Sequence, residues 1–414
     1  MRGLVGALMI LSAATLVACS GPSKSTGASA NSSARLAAPG EELLASQIPW
    51  NQVGPGWILA TWSAPQAASQ NPPTSAPRPP TQPLTLYLFD PAGGRYAITT
   101  IPPSPATEPG GAGNPRDLAD WSGDGRHALL EDRFAAGGHI TMTDVDLATG
   151  TKQSFTIASQ GSALGAYSRP TGQAILVSDF DTSSGDYKTY KSTLERIDLR
   201  GDKQLAFSTD RLGGAGKFDG GYLQTPDGDQ LVLGTDNGMV VMGNDGVITR
   251  QLPMPAPRAS CRPVRWWTPS VVLAACVVPP GVADGAQLWQ VPLDGGAPTA
   301  LTPVDDGQIG YQNAFRVPSG TFLENVPGCG GDGLLFRLNA DMTTTQVTVP
   351  GVDSGRTVRV VGVTGDKLLL RTSGNCGSHN AVLRVYDPAA NSATVLPGPP
   401  GDGSLERAIL YPTA

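Results

Sequence analysis

The chain has 414 residues, with 35 acidic against 29 basic side chains and a formal net charge of −6. That balance supplies no clustered basic face, so no nucleic-acid partner is expected. Only 15% of residues are charged, while 52 Gly and 37 Pro point to a fold rich in turns and poor in helix.

The N-terminus reads as a secretion leader. Arg2 supplies a positive charge, and Ser12, Ala13, Ala14 and Ala18 bring small residues to the cleavage end. Leu4 to Leu16 is an apolar run of about 13 residues, too short for a permanent span. Leu16-Val17-Ala18-Cys19 resembles the bacterial lipoprotein signal box. The resemblance implies a leader over 1–18 and acylation of Cys19, with palmitate-type chains anchoring an extracytoplasmic protein to the cell membrane, or to an outer membrane where one exists. Residues 19–48, rich in Ser, Ala and Gly, are expected to form a flexible lipidated tether, leaving 49–414 as the folded domain.

Trp57 to Trp62, Leu84 to Phe89 and Tyr96 to Ile101 read as three strands, the first two separated by a Pro-rich loop over Ala64 to Pro83. From Asp117 onward a four-strand grammar repeats, with units starting near Asp117, Ala163, Phe218, Cys261, Ile309 and Arg356. Their spacing suits propeller blades. Asp-Gly, Thr-Gly and Ser-Gly pairs place glycine where a hairpin turn needs positive φ. Asp90, Asp146, Asp198, Asp294, Asp341 and Asp387 end third strands, where a carboxylate can bond to the turn backbone. Glu406 to Tyr411 is one orphan strand. Joined to the three N-terminal strands, it predicts an all-β, seven-bladed β-propeller closed by N- and C-terminal strands in one blade, which hides free sheet edges.

Trp121-Ser122-Gly123-Asp124-Gly125 and Thr225-Pro226-Asp227-Gly228 resemble the repeat turn of bacterial WD40-like propellers related to the TolB propeller. The likeness covers about residues 57–411 and implies a propeller, not an activity. The N-terminal α/β domain of TolB-type proteins has no counterpart in this sequence.

Of five cysteines, Cys19 is assigned to lipid, and the remaining four suggest two disulfides in an oxidising compartment. Cys261 and Cys276 flank the Thr268-Pro269 turn and should meet across a hairpin. Cys329 and Cys376 occupy equivalent loops of successive units and are expected to pair.

The loops between second and third strands share one face with the connections between units. They carry the insertions, so binding is expected there. The candidate binding loop contains Asp179, Asp181, Asp186, Tyr187 and Tyr190, with His379 on the same face. Asp179, Asp181 and Asp186 have a fragment of calcium-loop spacing, but the glycine and closing glutamate are misplaced, so no metal is expected. Asp146-Leu147-Ala148-Thr149-Gly150 matches the turn of quinone-cofactor propellers without their tryptophan, so no cofactor is expected either. His127, with Asp124 and Asp132 nearby, reads as a base, or as a surface or inter-blade histidine. Trp121, Trp266, Trp267 and Trp289 fall on strands, as core or as a sugar-stacking surface. No nucleophile elbow appears and no catalytic residues are assigned. The sequence favours a non-catalytic envelope binding or scaffold protein whose partner is an envelope protein or glycan. The alternative is an enzyme acting on an extracellular carbohydrate at the central channel, with Asp117, Asp120, Arg116, Arg265 and Arg316 as its charged candidates.

Overall fold

The computed structural model describes residues 36–64, 83–102, 117–132, 138–159, 161–181, 191–256, 259–277, 287–304, 310–325, 333–353, 356–374, 380–399 and 403–412. Among these residues, all regular structure is strand except one 3-10 turn at Ala45–Gln47. The first sheet contains β1 (Glu42–Leu44), β2 (Ile58–Ser63), β3 (Leu84–Phe89) and β4 (Arg95–Ile101). The second is β5 (Asp117–Trp121), β6 (His127–Glu131), β7 (His139–Asp146) and β8 (Lys152–Ala158). The third is β9 (Gly161–Tyr167), β10 (Ile175–Asp181), β11 (Lys191–Ile197) and β12 (Lys203–Ala206). Next come β13 (Phe218–Gln224), β14 (Gln230–Thr235), β15 (Gly238–Gly243) and β16 (Ile248–Gln251), then β17 (Ser260–Thr268), β18 (Val271–Val277), β19 (Gln287–Pro292) and β20 (Thr299–Ala300). The last two sets are β21 (Tyr311–Val317), β22 (Gly320–Asn325), β23 (Leu335–Leu338) and β24 (Thr344–Gln346), and β25 (Thr357–Thr364), β26 (Lys367–Ser373), β27 (Val382–Asp387) and β28 (Ser392–Leu396). The final strand, β29 (Ser404–Leu410), pairs antiparallel with β2, Ile58 opposite Leu410.

These strands correct the expectation of seven separate four-stranded blades. They form six sheets: four of four strands, one of five and one of eight. The five-stranded sheet arises because β1 lies parallel to β4, with Glu42 opposite Arg95 and Glu42 Oε2 accepting from Arg95 Nε at 2.8 Å. Residues 36–48, assigned to the tether from sequence, therefore hold a strand that covers a sheet edge. The eight-stranded sheet arises from a bridge between Thr235 of β14 and Cys261 of β17, which fuses β13–β16 with β17–β20. Thr235 also pairs with Phe218 of β13, beyond a register break that separates Phe218 from Tyr222, so the end of β14 is bordered by both β13 and β17.

That bridge is the extreme form of a repeated device, in which the second strand of one set holds the first strand of the next. Glu131 on β6 accepts the Gly165 N–H of β9 at 2.8 Å. Ser178 on β10 donates to the Gly220 carbonyl of β13 at 2.8 Å. Arg371 on β26 donates to the Leu405 carbonyl of β29 at 3.2 Å. Each bond satisfies a first-strand backbone group that faces the axis and lacks a strand neighbour on that side.

The core is a succession of sheet-on-sheet interfaces. Trp57, Tyr96, Leu118, Trp121 and Leu130 share one cluster between the first two sheets, with Trp57 stacked on Tyr96 at 5.8 Å and Trp121 meeting Tyr411 edge-on at 5.2 Å. Alternation along β25 shows how the strands serve two interfaces. Val358 and Val360 pack against Phe315 and Phe322 of the preceding sheet, while Val361 packs with Leu405 of the next. The turns follow the chemistry read from sequence. Asp90, Asp146, Asp198, Asp294, Asp341 and Asp387 each accept at least one backbone N–H two residues onward, at 2.8–3.0 Å.

Candidate functional site

First strands of successive sets lie side by side about a common axis: β29 beside β5, β5 beside β9, β13 beside β17, and β21 beside β25. Their antiparallel registers send the turns after first strands to one end of the axis. The connections between second and third strands emerge at the other, looped end.

At the short-turn end lies a cavity of about 460 Å³. Leu164, Tyr222 and Trp266 reach it from β9, β13 and β17, and Pro170, Pro226 and Pro412 come from the adjoining turns and the end of the chain. Leu164 is 41% exposed, an unusual exposure for an axial leucine. The polar side chains around the cavity are engaged. Arg169 bonds Asp120 at 3.2 Å and the Trp121 carbonyl at 3.0 Å. The other Asp120 oxygen accepts the Tyr167 N–H at 2.8 Å. Gln224 accepts the Arg169 N–H at 2.9 Å and donates to the Tyr167 carbonyl at 2.7 Å, while Trp266 Nε1 donates to the Gln224 carbonyl at 2.8 Å. Burial pushes the Asp120 carboxyl above its ordinary value, and the Arg169 charge opposes that rise. The wall is thus mostly apolar, with Arg169 and Gln224 of the charge-balanced frame also lining it.

Two turn glycines fix that frame. A Cβ at Gly123 would stand 1.8 Å from the Pro170 carbonyl oxygen, and one at Gly228 would stand 1.9 Å from the Arg169 carbonyl oxygen. The Arg169-Pro170 segment is therefore clasped between the turns after β5 and β13. Both glycines belong to the repeat turns recognised in sequence, where Ser122 and Thr225 hydroxyls accept the N–H groups of His127 and Gln230 at 2.8 and 3.0 Å.

A second polar group ties β6, β7 and β9 together. The Tyr167 hydroxyl, fully buried, donates to Asp144 at 2.5 Å, and His127 Nδ1 lies 3.2 Å from the same carboxylate oxygen. The hydrogen bond to Asp144 raises the His127 pKa most, and partial burial opposes it. His127 is thus a packing residue between sheets. Its partner is Asp144 on the adjacent strand, which the neighbouring Asp124 and Asp132 concealed in the sequence.

The looped end is charged. Asp179, at the end of β10, accepts from the Ser159 hydroxyl at 2.6 Å and borders a smaller cavity of about 300 Å³ that also touches Glu195 and Lys203. Asp181 ends the same strand opposite Gly161. Asp186, Tyr187, Tyr190, His379, Cys329, Cys376 and Cys19 lie outside the described residues, as does Arg116. Asp219 sits at the break in β13, where burial pushes its carboxyl up to about 6 against the pull of the Gly221 N–H and Arg262. Nearer the short-turn end, Arg265 lies over the Phe315 ring and Arg316 over the Trp267 ring, each at 4.3 Å. Cys261 and Cys276, directly opposed on β17 and β18, form a buried disulfide. Among the described residues, no group of three or more His, Cys, Asp or Glu could hold a metal ion, and no helix is long and apolar enough to cross a membrane.

No family model matches the sequence, and no curated protein matches it. Solved structures do. The β-propeller domain of the Trilobed protease from Pyrococcus furiosus aligns with 88% of this chain and 99% of its own, at 10% identity and a TM-score of 0.50. The periplasmic gluconolactonase of Pseudomonas aeruginosa aligns over 86% and 99% at 14% identity and a TM-score of 0.48. A TolB-annotated protein of Agrobacterium tumefaciens aligns over 87% and 99% at 12% identity and a TM-score of 0.38. The first likeness shows the fold, a β-propeller, and transfers no activity.

Proposed function

We propose that this chain is an extracytoplasmic, lipid-anchored β-propeller that binds an envelope component without chemically changing it. The observation that carries this reading is the cavity of about 460 Å³, mostly apolar, whose lining side chains Arg169 and Gln224 are bonded into the frame. A wall of Leu164, Tyr222, Trp266 and three prolines favours a neutral, largely apolar ligand or partner side chain. A sugar with many hydroxyls would lose hydrogen bonds to water that this wall does not replace. The charged candidates of the enzymatic alternative support the same reading: Asp120 is neutralised by Arg169, and Arg265 and Arg316 lie over aromatic rings. The disulfide between Cys261 and Cys276 supports an oxidising compartment, and the Leu16 to Cys19 motif supports a lipid anchor.

The binding test is titration of the folded protein with N-phenyl-1-naphthylamine, a neutral apolar fluorophore. Saturable one-to-one binding, weakened by Leu164→Glu, is expected. Absence of saturable binding, or equal binding by the variant, refutes the cavity as the site. The anchor test is labelled palmitate incorporation in the native host, expected to vanish in Cys19→Ala. Retention of label in that variant refutes lipidation at this residue.

A further inference from the structure

At the looped end, Arg359 of β25 and Arg371 of β26 are directly opposed across the strands. Opposed positions share a sheet face and bring like charges together at a cost in stability. The cost is not relieved by full pairing among the described residues. Arg359 reaches Glu324 through one nitrogen at 3.4 Å. Arg371 meets a single acceptor, the Leu405 carbonyl, at 3.2 and 3.3 Å. A guanidinium carries five N–H donors, so both keep donors to spare.

The neighbouring carboxylates are partly engaged elsewhere. Glu324 also accepts the Val360 N–H at the register break in β25, and Glu406 accepts from the Ser63 hydroxyl. Asp117 and Glu406 draw on Arg371 from a distance, against the repulsion of Arg359 and Arg407. Burial lowers the Arg371 pKa most, so its charge is held in a desolvated place. Arg359 remains 32% exposed and open to a ligand.

We propose that the looped end of the axis binds an oxyanion, a carboxylate or phosphate group, between Arg359 and Arg371. The group would accept from the spare donors of both guanidiniums and relieve their mutual repulsion, a geometry to which planar forks are suited. The site lies at the opposite end of the axis from the apolar cavity and stands independently of it.

The test measures the thermal midpoint of the whole chain at constant ionic strength with inorganic phosphate, with glucuronate and with neutral glucose. A saturable rise with phosphate or glucuronate, and none with glucose, is expected. The more tightly bound anion identifies the source as phosphate or carboxylate. Arg371→Lys should weaken that anion at least about tenfold, the loss of one charge-assisted fork. Arg359→Lys, which keeps a cation facing Glu324, should do the same. Absence of a saturable rise with both anions in the unaltered protein, or affinities within about twofold in both variants, overturns the proposal.

Discussion

Gly228→Ala tests whether the clasp around Arg169-Pro170 shapes the short-turn cavity. Gly228 has φ +78°, where a side chain costs about 1–2 kcal/mol. Its Cβ would also stand 1.9 Å from the Arg169 carbonyl oxygen, against the 3.0 Å that real contacts respect, so the turn must retreat by about 1 Å. Displacing packed backbone adds about 1–3 kcal/mol, giving about 2–5 kcal/mol in all. Gly365→Ala is the matched control: its φ is +61° with nothing within 4 Å of the added Cβ, so only the conformational cost of about 1–2 kcal/mol applies. Urea unfolding of both variants measures the difference. Gly228→Ala should lose at least about 1 kcal/mol more and should also bind the naphthylamine probe less tightly, because Pro170 moves with the turn. Equal losses within about 0.5 kcal/mol, with probe binding unchanged in Gly228→Ala, would refute the reasoning.

Tyr167→Phe removes the buried hydroxyl that donates to Asp144 and should cost about 1.5–3 kcal/mol by urea unfolding, the worth of a hydrogen bond to a charged group. A loss below about 0.5 kcal/mol would show that the network does not join the sheets. The raised His127 pKa makes a signed prediction: its stabilisation is full below the unfolded value of about 6.5 and disappears as pH rises through the higher folded value. His127→Gln should abolish that decline, measured as the urea midpoint relative to the unaltered protein between about pH 5.5 and 8.5. Replacing Cys261 and Cys276 together by alanine should lower stability by about 3 kcal/mol, because the bridge closes a separation of 15 residues. Alkylation of the native, unreduced protein should leave both thiols unlabelled, and labelling of both would contradict the bridge.

Much of the fold was legible because its turns are made by local chemistry. Ser122, Thr225 and the Asp residues closing third strands act within five residues of themselves, so their spacing announces the turn. The fusion of two sets into one sheet was not legible, because a single backbone bridge between Thr235 and Cys261 decides it, and a backbone bridge leaves no signature in residue type. The strand Glu42–Leu44 escaped notice within a polar stretch, since it is stabilised by Arg95, 53 residues onward. The Cys261–Cys276 pair was legible from symmetry about a turn. The cavity was not, because Leu164, Tyr222 and Trp266 come from three first strands and become neighbours only around the axis. Insertions drew attention to the looped end, while a cavity of about 460 Å³ opens at the short-turn end.

The hydrogen bonds from Glu131, Ser178 and Arg371 into the succeeding first strands have a dynamic consequence. Peeling β6, β10 or β26 outward leaves a backbone group of the succeeding first strand without its partner, so opening there spreads sideways. Deuterium should therefore enter β9, β13 and β29 in step with the strands that precede them, and the fused pair spanning Phe218 to Ala300 should exchange as a single block. Tolerance of the looped face to insertion follows from the same arrangement: its connections can lengthen while the axial strands are held from the side.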